Sequence, residues 1–424
     1  MLKWIARFAC TLLLRRVEVA DASRLPKGRP ILLVANHFNG FVDPLVLASV
    51  LPRSPRFIAK ASLTQIPLLA AIARRGGVVF VRRREDETGP VNNDAAFSEC
   101  HAALAKGDTV AIFPEGTTHD RPHLDPIKTG AARIALGART AGATNLAIVP
   151  VGLTFPDKVA LRTAALVQIG EPIDVDDVCK PGVGVDNTDA VRKLTSVIDR
   201  GIRAVSLDFD DTETALALEQ AAHIALTSQY TEEPTLEQRY DLARRLGQAS
   251  KTSRDRVRRD VGRYNTVLTG LRLTDADVIT PTNPTRLLRA ALRIAVLVVV
   301  LGGIAAATAV VNVWPALLVA TVSLFVKTPV TKGTVRVLVG LVAFPTAWVV
   351  AAVLTADGFL RCSLVVLTMA VGAVAAIWLV ERAIALTMML LRWRAQLERI
   401  GTVEQAEALR AEVISTTRAA VGDR

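Results

Sequence analysis

The segment Ile31-Leu-Leu-Val-Ala-Asn-His-Phe-Asn-Gly-Phe-Val-Asp-Pro44 carries the residues that decide both the fold and the expected chemistry. Its first five residues are apolar and predict a buried strand, and Asn39-Gly40 predicts a turn. Asp43-Pro44 is typical of a helix start, with aspartate as the N-cap and proline as the first helical residue. We therefore expect His37 to lie in a strand-to-helix loop that faces a crevice.

His37 and Asp43 together suggest acid–base chemistry. An imidazole that titrates near neutral pH can remove a proton from an alcohol. A neighbouring carboxylate fixes the tautomer of the imidazole and stabilises the imidazolium that forms. Taken in isolation, the two residues are more often a surface histidine and a helix cap, so the rest of the chain has to decide between the two interpretations.

Apolar runs alternate with helical stretches in the first two hundred residues. This order predicts an α/β fold with a mixed, largely parallel sheet flanked by helices. The predicted strands are Ile31–Ala35, Val78–Val81, Val110–Phe113 and Ala147–Leu153. In open sheets of this kind, ligands bind beyond the carboxyl ends of the strands. Because His37, Arg82 and Glu115 each follow such a strand, we expect them at one edge of the sheet.

Two further polar segments follow predicted strands. Gly76-Gly-Val-Val-Phe-Val-Arg-Arg-Arg84 places guanidinium groups, whose planar fork suits phosphate, directly after a strand. Phe113-Pro-Glu-Gly-Thr-Thr-His-Asp120 offers backbone N–H groups and hydroxyls that can hold a polyol or phosphate. Taken singly, the first is more often a solvated loop and the second a strand-ending turn. His119-Asp120 is a second candidate dyad, ranked well below His37.

The composition favours a protein that lies partly in lipid. Of the 424 residues, 51% are hydrophobic and only 5% are aromatic, and the formal net charge is +11. A positive charge of this size suggests nucleic acid, anionic lipid or phosphorylated substrates as partners. Because no zinc-finger, helix-turn-helix or RNA-binding pattern is present, we expect membrane lipids as partners and no nucleic acid.

The sequence also narrows the reaction chemistry. Four widely spaced cysteines with no CxxC or metal-ligand spacing predict free thiols and no metal site. There is no G-x-S-x-G elbow, and no cysteine lies in a recognisable nucleophile motif. A hydrolase that uses a covalent serine or thiol intermediate is therefore disfavoured.

Four apolar stretches predict a membrane domain with two helical hairpins. Ile294–Val313 is long enough to span, whereas Ala316–Val326 is short and is expected to be re-entrant or tilted. Val335–Leu354 and Phe359–Val380 form the second pair. Basic residues fall at alternate ends of these stretches: Arg286, Arg289, Arg293, Lys327, Lys332, Arg336, Arg382, Arg392 and Arg394. The positive-inside rule then predicts a catalytic domain on the cytoplasmic face. The alternative is a buried helical bundle in a soluble protein.

The expected organisation has five parts. The predicted boundaries are 1–20 for an amphipathic helix against membrane or core, 21–206 for the α/β domain, 207–285 for a charged helical connector, 286–395 for the membrane helices and 396–424 for a C-terminal helix or tail. A Pro-rich break at Thr280–Thr285 separates the connector from the membrane segment.

Four sequence blocks occur in a fixed order along the chain. They are N-H-x5-D-P at Asn36–Pro44, G-x2-F-x2-R at Gly77–Arg83, F-P-E-G-T at Phe113–Thr117 and V-P-V-G-L at Val149–Leu153. Their order resembles the phospholipid/glycerol acyltransferase family, and the appended membrane segment resembles a subgroup of it. The resemblance implies transfer of a fatty acyl group from acyl-CoA or acyl carrier protein to a glycerol-phosphate hydroxyl, with no cofactor.

The resemblance implies roles for individual residues. In the first block His37 is similar to the general base and Asp43 to its orienting partner. In the second block Arg83 resembles the acceptor-binding arginine, with Arg82 as the alternative if Gly76 sets the register. The third block implies an acceptor and phosphate site formed by Glu115, Gly116 and Thr117. The fourth block implies that the acyl side is shaped by Val149, Pro150 and Val151.

Two departures from the family pattern bear on these roles. Phe38–Val42 places five residues between the histidine and the aspartate, where the family commonly has four. Thr118 stands where the third block commonly has arginine, so the acceptor charge must be met by Lys128, Arg121 or the Arg82–Arg84 cluster. The expected acceptors are 1-acyl-sn-glycerol-3-phosphate and glycerol 3-phosphate. A lysophospholipid-remodelling enzyme and a non-catalytic protein that binds anionic lipid are the alternatives.

Overall fold

The computed structural model describes residues 2–65, 67–82, 92–119, 121–158, 160, 162–227, 233–280, 283–398 and 403–422. The chain forms two compact units. One comprises Met1–Asp208 with Thr328–Thr334, and the other comprises Phe209–Lys327 with Val335–Arg424. Residues 328–334, assigned by the sequence to the membrane domain, therefore belong to the first unit.

The first unit is built on a mixed, mostly parallel sheet, as the sequence predicts. Its described strands are β1 (Leu14–Ala20), β2 (Ile31–Ala35), β3 (Arg56–Lys60), β4 (Val79–Val81), β5 (Thr109–Ile112), β6 (Ala147–Thr154), β7 (Thr163–Ile169) and β8 (Ile173–Asp174). Their order is β1-β7-β6-β2-β5-β3-β4, with β8 beside β6. The β6–β7 and β6–β8 pairs are antiparallel, and the other pairs are parallel.

Helices cover this sheet and close its core. Those of the first unit are α1 (Leu2–Leu13), α2 (Val42–Val50), α3 (Pro67–Arg75), α4 (Asp94–Ala105), α5 (Gly130–Thr140), α6 (Val175–Val178) and α7 (Thr188–Val205). Every residue of β2 is buried, which is typical of a central parallel strand covered on both faces. Leu32 and Val34 of β2 pack in one core cluster with Leu104 of α4, Ile134 of α5 and Ile198 of α7.

The prediction of a helix over residues 1–20 is wrong in its second half. The helix ends at Leu13, and β1 follows and pairs in parallel with β7. Leu14 and Ala20 are buried while Arg15 and Arg16 are exposed, so the segment is an edge strand with charged residues turned outward. In α1, Ala6 and Cys10 are buried, whereas Trp4 is 72% exposed. The helix thus has one face against the core and one apolar face outside it.

Helices are the regular secondary structure of the second unit in the part of the chain that the structure describes. Its helices are α8 (Thr212–Thr227), α9 (Leu236–Gly247), α10 (Lys251–Leu271), α11 (Asp275–Ile279), α12 (Pro284–Phe325), α13 (Pro329–Thr355), α14 (Phe359–Glu398) and α15 (Val403–Gly422), with the start of α13 in the first unit. Arg410 of α15 forms a partly buried ion pair with Asp275, 2.8 Å between Nε and Oδ1, and Asp275 also accepts from the Tyr264 hydroxyl. The predicted C-terminal tail is therefore a helix fixed to the connector.

The prediction of four membrane stretches is corrected to three helices among the described residues. α12, α13 and α14 are long and apolar enough to cross a membrane. Ile294–Val313 and Ala316–Val326 form one helix that continues through Pro315, so the second stretch is not re-entrant. Proline removes one backbone hydrogen bond, and a long apolar helix tolerates that loss. Arg286 and Lys327 consequently flank opposite ends of α12, whereas the sequence predicted them on one side.

A polar contact joins these apolar helices. The indole N–H of Trp348 in α13 donates to Asn312 Oδ1 in α12 at 2.8 Å. The Asn312 amide in turn donates to the carbonyl of Met369 in α14 at 3.1 Å. Because buried polar groups in an apolar setting need partners, Asn312 fixes the relative register of the three helices.

Candidate active site

The structure brings His37 and Asp43 into direct contact. His37 Nδ1 lies 2.9 Å from Asp43 Oδ2, and the carboxylate also accepts from the backbone N–H of Asn39 at 2.8 Å. The Asp43 side chain is fully buried and that of His37 is 14% exposed. The carboxylate therefore fixes the tautomer with hydrogen on Nδ1 and leaves Nε2 as the acceptor. No other described residue hydrogen-bonds Nε2.

The loop reaches this geometry although it contains one residue more than the common family spacing. Gly40 adopts a left-handed conformation with φ of 48°, and the Val42 N–H donates to the Asn39 carbonyl at 2.9 Å. This tight turn carries the chain back so that Asp43, in the first turn of α2, reaches His37. Asp43 is thus not the predicted N-cap, because α2 begins at Val42.

Two neighbours hold the imidazole and the strand that carries it. The ring of Phe113, at the end of β5, stacks on His37 with centroids 4.1 Å apart and planes at 17°. Asn36 donates to the Leu153 carbonyl at 2.9 Å and accepts from the Leu153 N–H at 2.6 Å, which ties the end of β2 to β6. The position of His37 is therefore fixed from the backbone and from one ring face.

Glu115 connects the third sequence block to the first. Its Oε1 accepts from the His37 N–H at 2.9 Å, and its Oε2 lies 2.8 Å from His119 Nε2 and accepts from the Asp125 N–H at 3.0 Å. The Glu115 side chain is only 1% exposed. Because both oxygens have partners within the protein, Glu115 supports the His37 backbone in this structure, and its predicted acceptor binding stays a prediction.

His119 takes part in this support. The predicted partner of His119, Asp120, lies outside the described residues, and the observed partner is Glu115. The ring of Phe38 meets His119 edge-on with centroids 5.3 Å apart. Ligating atoms of Glu115, His119 and Asp125 lie within 4.8 Å of one another, which is compatible with a metal ion. Hydrogen bonds already occupy both carboxylate oxygens of Glu115 in this cluster.

Gly116, Thr117 and Lys128 lie beside this support, at the end of β5. Gly116 has a φ of 74°, and a methyl group at that position would come within 3.0 Å of Lys128 Nζ. The Lys128 N–H donates to the Pro114 carbonyl at 2.8 Å, which fixes the lysine to the third block. Lys128 thus brings an ammonium group to the loop in which Thr118 stands in place of arginine.

The arginine cluster lies further from His37. Arg82 follows β4, the edge strand, and β3 and β5 separate β4 from β2. Three strand spacings amount to roughly 14 Å. Arg82 is exposed, and its backbone N–H donates to Asn93 Oδ1. Arg83 and Arg84 lie outside the described residues, so the role predicted for Arg83 stays a prediction.

The fourth block lies in the sheet beside the first. Val149 pairs with Leu33 and Val151 with Ala35, and Val149, Pro150 and Val151 are all buried. Their predicted role on the acyl side stays a prediction. They shape the neighbourhood of His37 by holding β2 in place.

Comparison with known proteins places this geometry in a family. Residues 16–154 match the family model Acyltransferase. This part of the chain is an acyltransferase-family domain. It shares 31% identity over 147 residues with glycerol-3-phosphate O-acyltransferase 1 of Saccharomyces cerevisiae, covering 34% of this chain and 19% of that protein.

One bacterial and one human relative match the same domain. A lyso-ornithine lipid O-acyltransferase of Rhizobium meliloti is 38% identical over 153 residues, 35% of this chain and 48% of that protein. The human 1-acyl-sn-glycerol-3-phosphate acyltransferase beta is 33% identical over 125 residues, 29% of this chain and 43% of that protein. The chain thus spans less than half the length of each of these three relatives.

The acyltransferase domain also contains contacts that the sequence did not indicate. Lys158, after β6, places Nζ 4.3 Å from the centre of the Phe38 ring and adds a cation near the first block. The hydroxyl of Thr334 accepts from the Phe41 N–H at 3.2 Å. The sequence likewise does not indicate the stacking of Phe113 on His37, because it shows an apolar residue before Pro114 but not the direction of its ring.

Proposed function

We propose that the chain is a membrane-bound O-acyltransferase of phospholipid biosynthesis. It moves a fatty acyl group from acyl-CoA or acyl carrier protein to a hydroxyl of 1-acyl-sn-glycerol-3-phosphate or glycerol 3-phosphate. Support comes from the acyltransferase-family match, from the relatives named for these acceptors and from the three apolar helices.

The contact between His37 and Asp43 carries the proposal. A neutral imidazole with hydrogen on Nδ1 and a free Nε2 is a general base, and the buried carboxylate 2.9 Å from Nδ1 favours the imidazolium. The pair lies at the carboxyl end of β2, where parallel sheets bind ligands. A histidine used only for lipid binding would not need a buried carboxylate to orient its ring.

The reaction requires one proton to move twice. His37 Nε2 removes the proton from the acceptor hydroxyl as the oxygen attacks the thioester carbonyl, and a tetrahedral adduct forms. The carbon–sulfur bond then breaks, and the leaving thiolate takes the proton from the imidazolium. The products are an ester and a free thiol, and no acyl-enzyme is needed. Asp43 stabilises the positive charge on His37 between the two transfers.

Lys128 is the proposed partner of the acceptor phosphate. An ammonium group is a good phosphate ligand, and Lys128 Nζ lies beside Gly116, where the missing Cβ makes room for the lysine side chain. Thr117 can add a hydroxyl at the same loop. Arg82, with Arg83, would serve an anionic group further along the sheet edge. Glu115 contributes through the His37 backbone, as described above.

The membrane segment suits a reaction whose product is a lipid. We propose that α12, α13 and α14 anchor the enzyme and that the acyltransferase domain lies on the cytoplasmic face. Lys327, Lys332 and Arg336, at the junction of α12 and α13 where Thr328–Thr334 rejoins the acyltransferase unit, support that orientation through the positive-inside rule. Membrane lipids are then partners of the protein as well as the destination of its product.

An acceptor panel tests the function. Purified full-length protein in nanodiscs would be given acyl-CoA or acyl carrier protein with glycerol 3-phosphate, dihydroxyacetone phosphate, lysophosphatidate or lysophosphatidylcholine. We expect acylated product, measured by mass spectrometry, with a phosphomonoester acceptor, and none from a His37→Ala variant that stays folded and membrane-bound. Product formation unaffected by that substitution would refute the role of His37. The absence of any product would favour a lipid-binding protein.

A second candidate function has its own support. The Rhizobium relative, the most identical of the three described, is named for a lyso-ornithine lipid, which has no phosphate. Loss of the third-block arginine at Thr118 fits an acceptor without a phosphomonoester. Lyso-ornithine lipid therefore belongs in the panel, and preference for it would show that Lys128 serves another anionic group.

A further inference from the structure

The start of α13 lies in the unit that contains His37 and Asp43, which together form the dyad. Residues Thr328–Thr334 belong to that unit, although they follow α12 in sequence. We propose that Thr328–Thr334 is a positioning segment of the catalytic centre, which holds the loop between His37 and Asp43 in the shape that pairs them. The activity readout of this proposal rests on the proposed acyl transfer.

The first contact is a hydrogen bond to the helix start. Phe41 occupies the N-cap position of α2. No described residue of α2 accepts from the Phe41 N–H, because the first backbone N–H groups of a helix have no partner within that helix. The Thr334 hydroxyl accepts from this N–H at 3.2 Å. A side chain 293 residues later in the chain thus supplies a bond that capping residues usually supply locally.

The second contact is a close approach at Gly333. A Cβ at this position would lie 2.8 Å from Asn39 Oδ1 and 3.9 Å from Val42 Cγ2. Asn39 is 3% exposed, so its amide has little room to move aside. Gly333 has no left-handed φ, which means that its backbone does not require glycine. Glycine fits at position 333 because any larger residue would place its Cβ too close to the Asn39 side chain.

Both contacts bear on the dyad through a short chain of bonds. The Asn39 N–H donates to the same Asp43 oxygen that meets His37, and the Asn39 carbonyl accepts from Val42. Displacing Asn39 or Phe41 therefore shifts the carboxylate relative to the imidazole. Misplacement of a catalytic group by about 1 Å can cost about a hundredfold in rate. Gly333 and Thr334 act through other residues and are positioning residues.

Gly333→Ala provides a sharp test, because alanine is the better helix former. If Gly333 were only a helix residue, the variant would keep its activity and gain stability. We expect instead that kcat falls at least tenfold while KM for the acceptor and membrane insertion stay near wild type. Gly340→Ala is the matched control in the same helix, since a Cβ there finds only ordinary contacts at 3.8 Å and beyond. It should keep wild-type kcat.

Thr334 allows a test with a conservative rescue. Thr334→Val keeps the branched shape and removes the hydroxyl, whereas Thr334→Ser keeps the hydroxyl. We expect kcat to fall several-fold in the valine variant and to recover in the serine variant. Amide hydrogen exchange in the full-length protein should show faster exchange of Phe41 in the valine variant only.

A double-mutant cycle separates a direct contact from a general disturbance. Asn39→Ser shortens the side chain that faces Gly333, so the loss caused by Gly333→Ala should be smaller in the Asn39→Ser background. The same cycle with Gly340→Ala should be additive. Additive losses in both cycles, or exchange at residues 39–43 unchanged in Gly333→Ala and Thr334→Val, would overturn the proposal. If wild-type protein acylates no acceptor, the proposed function fails, and the exchange result still decides whether the segment holds the loop.

Discussion

Replacing Asp43 with asparagine removes the charge beside His37 and keeps the shape of the side chain. Asp43 Oδ2 accepts from both His37 and Asn39. The asparagine must place its oxygen at that point to keep both bonds, so its NH2 group takes the place of Asp43 Oδ1. That oxygen is buried without a hydrogen-bond partner among the described residues. We expect the loop to keep its shape while its charge is lost.

The size of the effect follows from the contact between the two side chains. Charge centres about 4 Å apart interact by about 4 kcal/mol at an effective dielectric constant of about 20. Solvent screens this interaction little, because Asp43 is fully buried and His37 is 14% exposed. The imidazolium exists only after proton transfer has begun, so the interaction acts on the transition state. At ~1.4 kcal/mol per decade, kcat should fall roughly a thousandfold.

Initial rates over a range of acceptor concentrations measure this change. The full-length Asp43→Asn protein in nanodiscs should show the lower kcat with KM close to wild type, because Asp43 does not contact the acceptor. Asp176→Asn is a suitable control, since Asp176 is half-exposed and pairs with Arg139 away from the dyad. A fall of less than tenfold, with an unchanged thermal midpoint, would refute stabilisation of the imidazolium by Asp43.

Three further predictions concern the support and stability of the domain. Glu115→Gln places a buried NH2 donor opposite the backbone N–H of His37 or Asp125, so kcat should fall roughly tenfold to a hundredfold with wild-type folding. An unchanged kcat would contradict the support of the His37 backbone by Glu115. Burial lowers the pKa of His101, so the folded state holds it neutral and loses stability as pH falls from about 6.5 towards that lowered pKa. His101→Gln should therefore reduce the loss of thermal stability between about pH 7.5 and pH 5, and an equal loss in both proteins contradicts this. Gly152→Ala would put a Cβ 1.9 Å from the Val205 carbonyl oxygen, so it should lower the thermal midpoint by several degrees, and an unchanged midpoint would show that α7 can move.

The sequence predicted those elements whose pattern is set by local chemistry. Ile31–Ala35 matches β2 residue for residue, because a central parallel strand is apolar along its whole length. The sequence does not predict β1, because the outward-facing Arg15 and Arg16 of this edge strand resemble the end of an amphipathic helix. Pro315 predicts a helix boundary, whereas the helix continues through it.

The dyad could be predicted and its support could not. His37 and Asp43 lie in one short loop, so their proximity follows from a turn and a helix start. The role of Glu115 depends on which backbone N–H lies opposite its carboxylate across neighbouring strands. Local sequence does not predict the order of the strands, so it does not predict this contact. Sequence patterns give the residue types at the ends of strands, whereas the direction of each side chain is set by tertiary packing.

The additional residue in the first block explains why a distant segment is needed at this loop. A five-residue connection between His37 and Asp43 is long enough for Gly40 to turn the chain back, and it leaves the Phe41 N–H outside the turn. A partly buried N–H without a partner is costly, and no described side chain of the loop accepts from the Phe41 N–H. Thr334 supplies the acceptor, and Gly333 lets its backbone come close enough to do so. On this reasoning the longer loop and the returning segment are coupled, and shortening the loop by one residue should make activity insensitive to Thr334→Val. Persistence of the valine effect in the shortened protein would separate the two features.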